Sequence, residues 1–273
     1  MATADRIALD SADANRAIFD SVADSYTELA LMPAERSVLA RLGRELPRRA
    51  ILDIGVGSGR SGYTFAAIAG SYVGVDYSPR MIERARALLG EDDRTRLLVG
   101  DARDLSVAGG PFGFVLFSFN GIDAVGHEDR LRILAEVRRV IEPDGHFLFS
   151  THSLGALPLA TKKQRSNRFG SSRAYAIYAR LQDIRYGRRI RRLNASLDLA
   201  AARERGWIVV PGIGHNFTVD DYYVDPEFQV GQLREAGFEV VTVYDVAGHE
   251  VTLPHRGRDP WLDYLCRPTP AGS

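Results

Sequence analysis

The sequence has little of what would cross-link, anchor or export a protein. Cys266 is its only cysteine, which excludes an internal disulfide and a cysteine metal cluster. No run of about 18 apolar residues could span a bilayer. The first twenty residues lack the basic start and apolar centre of a signal peptide. We therefore expect a soluble protein of the reducing cytoplasm that has no membrane partner.

Lysine is also scarce, since Lys162 and Lys163 are the only two. Neither has a tyrosine four residues before it, which excludes the Tyr-x-x-x-Lys pair of an NAD-dependent oxidoreductase. No two histidines have i, i+4 spacing with a carboxylate, so no metal site is predicted.

The chain is long enough, at 273 residues, for one α/β domain with an appendage. Short apolar runs alternate with segments of helical spacing, and this order predicts parallel strands joined by right-handed crossovers. The predicted strands are residues 50–54, 72–75, 96–99, 114–119 and 146–150, the helices between them are 61–69, 79–89 and 128–141, and a turn is expected at 143–145.

Other segments flank this alternation. Helical spacing is present at 15–29 and 34–46, and again from 153 to 205, where Tyr175, Tyr178, Leu181 and Ile184 fall on one face. The later chain predicts an extended stretch at 207–217, a helix at 226–236, a strand at 238–246 and an antiparallel edge strand at 261–266. We expect N-terminal helices at 1–48 that cover a cofactor site, a core of 49–152 and 206–273, and a helical cap at 153–205.

A glycine-rich turn follows the first predicted strand. Gly55, Gly57 and Gly59 stand where a backbone must turn sharply and let a ligand approach closely. Asp76 ends the next strand, where a carboxylate can accept both ribose hydroxyls of a nucleoside. Asp101 closes the third strand, in position to accept from an adenine amino group. The pattern Gly57-x-Gly59-x-x-Gly62 also fits dinucleotide-binding folds, so the turn alone does not choose a cofactor.

Five motifs in order resemble those of the class I S-adenosylmethionine-dependent methyltransferases, notably the bacterial enzymes that act on small molecules. They are residues 53–59, Val75-Asp76, Gly100-Asp101-Ala102, Pro143-Asp144-Gly145 and Glu235-Ala236-Gly237-Phe238. The resemblance covers about residues 15–149 and resumes near 222. It implies a doubly wound seven-stranded α/β sheet with one antiparallel strand, and S-adenosylmethionine as cofactor.

The resemblance also implies where the cofactor contacts the chain. Its methionine part would lie near Gly55 and Gly57, its ribose at Asp76, and its adenine near Tyr77. The full expected set is Tyr26, Asp53, Gly55, Val56, Gly57, Gly59, Asp76, Tyr77, Met81, Asp101, Ala102 and Phe119. Two roles stay open for Tyr26, which either bonds the cofactor's carboxylate or packs against Leu29.

Methyl transfer to a hydroxyl or ammonium group requires the loss of a proton, and histidine is the usual base near neutral pH. His152 follows the fifth strand, at the sheet edge where open α/β sheets bind ligands, and is the first catalytic candidate. His215 is the second, and the Tyr222-Tyr223 pair is expected near the same pocket. A purely structural role for His152, bonding backbone beside the cap, is the alternative.

The segment from Lys162 to Arg192 holds eleven basic residues and one acid, Asp183. It either recognises an anionic acceptor, a carrier protein or RNA, or forms a solvated face that pairs with the acidic remainder or another subunit. The overall expectation is methyl transfer to oxygen or nitrogen of a small-molecule acceptor, without a nucleic-acid partner and with a homodimer left open. The alternatives are methylation of RNA or a carrier-bound substrate through the basic cap, and noncatalytic nucleoside binding.

Overall fold

The computed structural model describes residues 11–23, 29–159, 173–212, 219–255 and 257–270. Within these residues, ten strands form one sheet with helices on both faces. The helices are α1 (Ser11–Val22), α2 (Pro33–Leu42), α3 (Gly62–Ile68), α4 (Pro79–Leu89), α5 (His127–Val140), α6 (Arg173–Ser196), α7 (Leu199–Arg205) and α8 (Pro226–Glu235). The strands are β1 (Ala50–Ile54), β2 (Ser71–Asp76), β3 (Thr95–Val99), β4 (Phe112–Phe117), β5 (Ile141–Ser153), β6 (Trp207–Pro211), β7 (Asp220–Val224), β8 (Phe238–Tyr244), β9 (Glu250–Val251) and β10 (Trp261–Pro268).

Parallel strands form the centre of the sheet in the order β3-β2-β1-β4-β5. β10 continues it antiparallel to β5 and to β8. The expected path of seven strands with one antiparallel member is therefore present, but it is part of a larger sheet. β9 extends the edge beyond β8, and the β6–β7 hairpin joins β5 through a short parallel pairing with β7.

The prediction that residues 261–266 form an edge strand was wrong. β10 is hydrogen-bonded on both sides, and residues 262–266 are all buried. Its position follows from the return of the chain between two strands already in place, which local sequence does not encode.

Two other boundaries differ from expectation. β4 ends at Phe117 rather than at Phe119, because Phe119 and Asn120 adopt left-handed backbone angles, with φ of 55° and 59°. The turn expected at 143–145 lies inside β5 as a bulge, since Phe112 pairs with Ile141 and Phe114 with His146.

The core lies on both faces of the sheet because successive strand residues point to opposite sides. Leu52, Val115 and Phe147 belong to the cluster that includes apolar residues of α5 and α8. Ile51 and Leu148, which face the other way, pack in the cluster that includes residues of α2, α3 and α4. This doubly wound packing brings the carboxyl ends of the parallel strands together at one edge.

The segment between β5 and β6 is helical where it is described, as α6 and α7. A third apolar cluster joins this segment to Tyr223 of β7 and includes Ile190, Leu154 and Val210. Ile184, which helical spacing places on one face with Tyr175, Tyr178 and Leu181, is 42% exposed, because α6 buries the face that carries Ile190. The side chains of Tyr175, Tyr178 and Leu181 lie outside the described part. Among the described helices, none combines the length and apolar character needed to cross a bilayer.

Replacing Phe147 by alanine should lower the free energy of unfolding by about 3–5 kcal/mol, because the side chain is fully buried and a cavity would remain. Ile184→Ala, at an exposed position of α6, is the control and should change it by less than about 0.5 kcal/mol. Urea denaturation measures both. Equal effects would contradict the burial assigned to Phe147.

Candidate active site

A cavity of about 340 Å³ lies at the carboxyl ends of the parallel strands. β1, β2, β4 and β5 each supply part of its wall, the segment that follows β3 supplies another part, and α1 adds Asn15 and Phe19. Of the residues expected at a cofactor, eight line it: Gly55, Gly57, Asp76, Tyr77, Met81, Asp101, Ala102 and Phe119. His152 lines the same cavity. Tyr26 and His215 lie outside the described residues.

The glycine turn forms one wall of the cavity. Gly55 has φ of 64°, and a Cβ there would sit 2.9 Å from Cε2 of Phe117. Gly57, with φ of 56°, is likewise restricted to a residue without a side chain. Gly59 does not line the cavity, since an added Cβ would meet Leu88 and Leu89 of α4. Gly55 and Gly57 thus face the cavity, whereas Gly59 allows α4 to pack closely against the turn.

Two residues expected at the cofactor point away from it. The Asp53 carboxylate is 1% exposed and accepts hydrogen bonds from Ser61 Oγ (2.6 Å) and Tyr72 Oη (2.7 Å). Burial raises the pKa of Asp53 to about 6, although both bonds oppose the shift. Val56 is buried against Gly74. Asp53 falls outside the cavity wall because alternate residues of β1 face opposite sides of the sheet, and Ile54 is the residue that lines the cavity. Val56 lies in the turn after β1, where its side chain packs away from the cavity.

Asp76 fixes the glycine turn to the end of β2. Its Oδ2 accepts from the backbone N–H of Gly57 and its Oδ1 from that of Ser78, both at 2.9 Å. Burial raises the pKa of Asp76 to about 6, while these backbone bonds lower it. The carboxylate lines the cavity with acceptor capacity remaining on both oxygens.

Asp101 occupies the wall after β3. Arg103 donates to both of its oxygens, with Nη2 2.7 Å from Oδ2, and also pairs with Asp129 at 2.9 Å. Burial acts to raise the pKa of Asp101, but the bonds from Arg103 outweigh it and hold the pKa below its usual value. Asp101 is therefore ionised and fixed beside Tyr77 and Ala102.

A buried ion pair that the sequence analysis missed supports the glycine turn. Arg60 donates to both oxygens of the fully buried Glu35 in α2, at 2.6 and 2.7 Å. Glu35 also accepts from the backbone N–H of Met32 and from the hydroxyl of Ser118. The pair thus connects an N-terminal helix with the turns after β1 and β4. Sequence alone gave no signal for it, because nothing local pairs residues so far apart.

His152 lies at the end of β5, and its imidazole is held on both nitrogens. Nδ1 is 2.8 Å from Oδ2 of Asp123, and Nε2 is 3.2 Å from the side-chain amide nitrogen of Asn120. Burial lowers the pKa of His152, but the bond to Asp123 and its charge outweigh burial and raise it. A proton on Nδ1 facing Asp123 leaves Nε2 as the basic nitrogen.

Asp123 is itself held by a second buried cation. Its Oδ1 accepts from Arg130 Nη1 and from Thr151 Oγ1, both at 2.7 Å, and its Oδ2 accepts from the backbone N–H of His152 at 2.6 Å. Asp123 and Arg130 are both fully buried. Arg130 also donates to Gln229 Oε1 at 2.6 Å. The imidazole of His152, the carboxylate of Asp123 and the guanidinium of Arg130 are therefore connected by successive side-chain contacts of 2.8 and 2.7 Å, which begin at the cavity wall.

The Tyr222-Tyr223 pair lies on the two faces of β7, next to these three side chains. The Arg130 guanidinium lies over the Tyr222 ring, 4.7 Å from its centroid, and Tyr222 stacks on Trp207. Tyr223 lies opposite His152 in the strand pairing, with ring centroids 4.9 Å apart. Tyr222 thus packs against the Arg130 guanidinium, and Tyr223 packs against the His152 imidazole.

Comparisons with known proteins show similarity to methyltransferases over part of the chain. A protein family described as a methyltransferase domain matches residues 51–145. A demethylmenaquinone methyltransferase of Clavibacter sepedonicus is 31% identical over 152 residues, which cover 54% of this chain and 61% of that protein. The chain thus spans less than two thirds of the length of that curated relative.

Solved structures share the fold. The CcbJ methyltransferase of Streptomyces caelestis superposes with a TM-score of 0.60 at 16% identity, covering 92% of this chain and 96% of that one. A 1,6-didemethyltoxoflavin-N1-methyltransferase of Burkholderia thailandensis, solved with 1,6-didemethyltoxoflavin and S-adenosylhomocysteine, gives 0.59 at 17% identity, covering 96% and 90%. At this identity the similarity establishes the fold.

Asp123→Asn should lower the pKa of the His152 imidazole, because the negative charge that stabilises imidazolium is removed. NMR titration of the histidine ring signals measures the change. Asp220→Asn, on the exposed side of β7, is the control and should leave it nearly unchanged. Thr151→Val, which removes one donor to Asp123 and retains its charge, covers the case in which Asp123→Asn unfolds the protein. It should raise the pKa of His152 slightly, and an unchanged pKa in all three variants would contradict the pairing.

Proposed function

We propose that this chain, a member of the class I S-adenosylmethionine-dependent methyltransferases, moves a methyl group from S-adenosylmethionine to oxygen or nitrogen of a small molecule. One observation carries the proposal. A single cavity is lined both by a nucleoside cradle, with Gly55 and Asp76, and by a histidine whose basic nitrogen a buried carboxylate orients. Cofactor and proton acceptor can therefore meet in one enclosed space.

The described residues fit the cofactor. Gly55 and Gly57 line the cavity with positive φ angles that disfavour a side chain, so their backbone is open to close approach by a ligand. Asp76 offers acceptors for ribose hydroxyls, while Tyr77 and Met81 offer apolar surface for adenine. When bound, S-adenosylmethionine supplies an electrophilic methyl group on a sulfonium sulfur.

His152 would take the proton that the acceptor loses. The Asp123 carboxylate holds Nδ1, stabilises the imidazolium and keeps the ring in place, so that no reorganisation is needed during transfer. Asn120 donates toward Nε2 and would be displaced by the acceptor's own donor. Asn15 and Phe19 of α1 also line the cavity and would limit the access of water to it.

A small acceptor fits this site better than a macromolecule. The cavity falls within the range of small-molecule pockets, roughly 300–1,000 Å³. The names of two similar proteins mention demethylmenaquinone and 1,6-didemethyltoxoflavin, which are small molecules. Residues 153–205 would act as the cap over the acceptor, because Ile190 of α6 packs in the same cluster as Tyr223, the neighbour of His152.

Replacing Asp76 by alanine should weaken binding of S-adenosylhomocysteine by roughly 1.5–3 kcal/mol, the range for hydrogen bonds to charged groups. Asp93→Ala, at an exposed carboxylate away from the cavity, is the matched control and should bind normally. Isothermal calorimetry measures both. Binding of NAD without any response to S-adenosylmethionine or its product would overturn the cofactor assignment.

His152→Ala should lower turnover by about 10²–10⁴-fold with little change in cofactor affinity, because it removes the base and leaves the cradle intact. Transfer of label from methyl-labelled S-adenosylmethionine into metabolite pools, followed by mass spectrometry, measures turnover. His249→Ala, at a histidine whose side chain is 78% exposed, is the control. If His152→Ala reduces only thermal stability, the residue is structural.

A further inference from the structure

One end of the cavity is built around His152 by its two neighbouring strands. Trp261 of β10 and Tyr223 of β7 stand opposite His152 in the strand pairings, so all three side chains share one face of the sheet. Asp221 lies two residues before Tyr223 on β7 and therefore faces the same side. Asp221, His152 and Trp261 all line the cavity.

The Asp221 carboxylate has no hydrogen bond or ion pair with the residues that the structure describes, although it is half-buried. Burial raises the pKa of Asp221 to about 6, and the charge that His152 carries when it is protonated opposes that rise. A Cβ on Gly212 would lie 2.4 Å from its Oδ2, so the backbone at Gly212 leaves the space that this carboxylate occupies. A half-buried carboxylate without a donor is costly until a ligand supplies one.

In the part of the chain that the structure describes, the arginines at and behind the cavity wall are already paired with other carboxylates. Arg103, the one arginine among the described lining residues, is paired with Asp101 and Asp129. Arg130 lies behind the wall and is bound to Asp123. The described acceptor end thus presents an unpaired negative charge beside an aromatic residue, which is the combination that binds an organic ammonium group.

We infer that the acceptor is an amine and that Asp221 binds its ammonium group beside His152. The inference rests on the proposed function and narrows the acceptor from oxygen or nitrogen to nitrogen. It also assigns the basic segment at 162–192 no part in recognising the reacting group, since the charge that meets this group is negative.

The step balances with the groups present. The ammonium group passes one proton to Nε2 of His152, and the freed nitrogen lone pair forms the new nitrogen–carbon bond to the methyl group. The carbon–sulfur bond breaks and its electron pair stays on sulfur, so the products are S-adenosylhomocysteine and the methylated ammonium. Asp221 holds a positive charge on nitrogen before and after transfer.

Binding of three probes with one skeleton tests the inference: 2-phenylethylamine, 2-phenylethanol and phenylacetate, which are a cation, a neutral donor and an anion. The protein is first saturated with S-adenosylhomocysteine, and dissociation constants are measured by ligand-observed NMR. In the unmodified protein the amine should bind roughly tenfold or more tightly than the alcohol, and phenylacetate more weakly than either. Asp221→Asn should abolish this preference.

Asp220→Asn is the matched control, because the neighbouring carboxylate is exposed on the other face of β7, and it should retain the preference. No preference for the amine in the unmodified protein, including the case in which none of the three probes binds, overturns the inference. So does a preference that persists in Asp221→Asn. Failure to bind S-adenosylhomocysteine at the first step contradicts the proposed function as well, which separates the two failures.

Discussion

The arrangement of the site depends on one buried ion pair, between Arg130 of α5 and Asp123 in the turn after β4. Both side chains are fully buried and paired with each other, so the charge of either one would be strongly destabilising without the other. Through Asp123 the pair fixes His152, and through Gln229 it is held by α8. One electrostatic constraint therefore connects His152, the proposed base at the cavity wall, with α5 and α8 on the other face of the sheet.

Local sequence was sufficient to predict most strands of the sheet and the residues of the proposed cofactor half of the cavity. The strand with Asp53, the glycine turn and the helix at Pro79–Leu89 follow from apolar periodicity, glycine and proline placement, and these are local signals. The place of β10 inside the sheet is not local, because the strand is inserted between two others after the whole chain has returned. The added β6–β7 hairpin escaped prediction for the same reason, since its pairing with β5 depends on distant residues.

The cofactor side was more predictable than the acceptor side for a physical reason. Gly55 and Asp76 stand at strand ends, and parallel topology alone brings strand ends together. Other roles depend on contacts across several elements, and no spacing in the sequence predicts them. This is the case for Asp123, Arg130 and Asp221. His152 was found by its position after β5, whereas its partner Asp123 could be found only when the turn after β4 was seen beside it.

The proposed cofactor cradle and the oriented histidine share one cavity. The NMR spectrum of the imidazole groups during titration with S-adenosylhomocysteine, without any acceptor, tests this arrangement. We expect saturable binding at one site and a change in the His152 ring signals, while those of His146, earlier in β5 and outside the cavity wall, stay in place. Binding that leaves the His152 signals unchanged, or no binding at all, would contradict it.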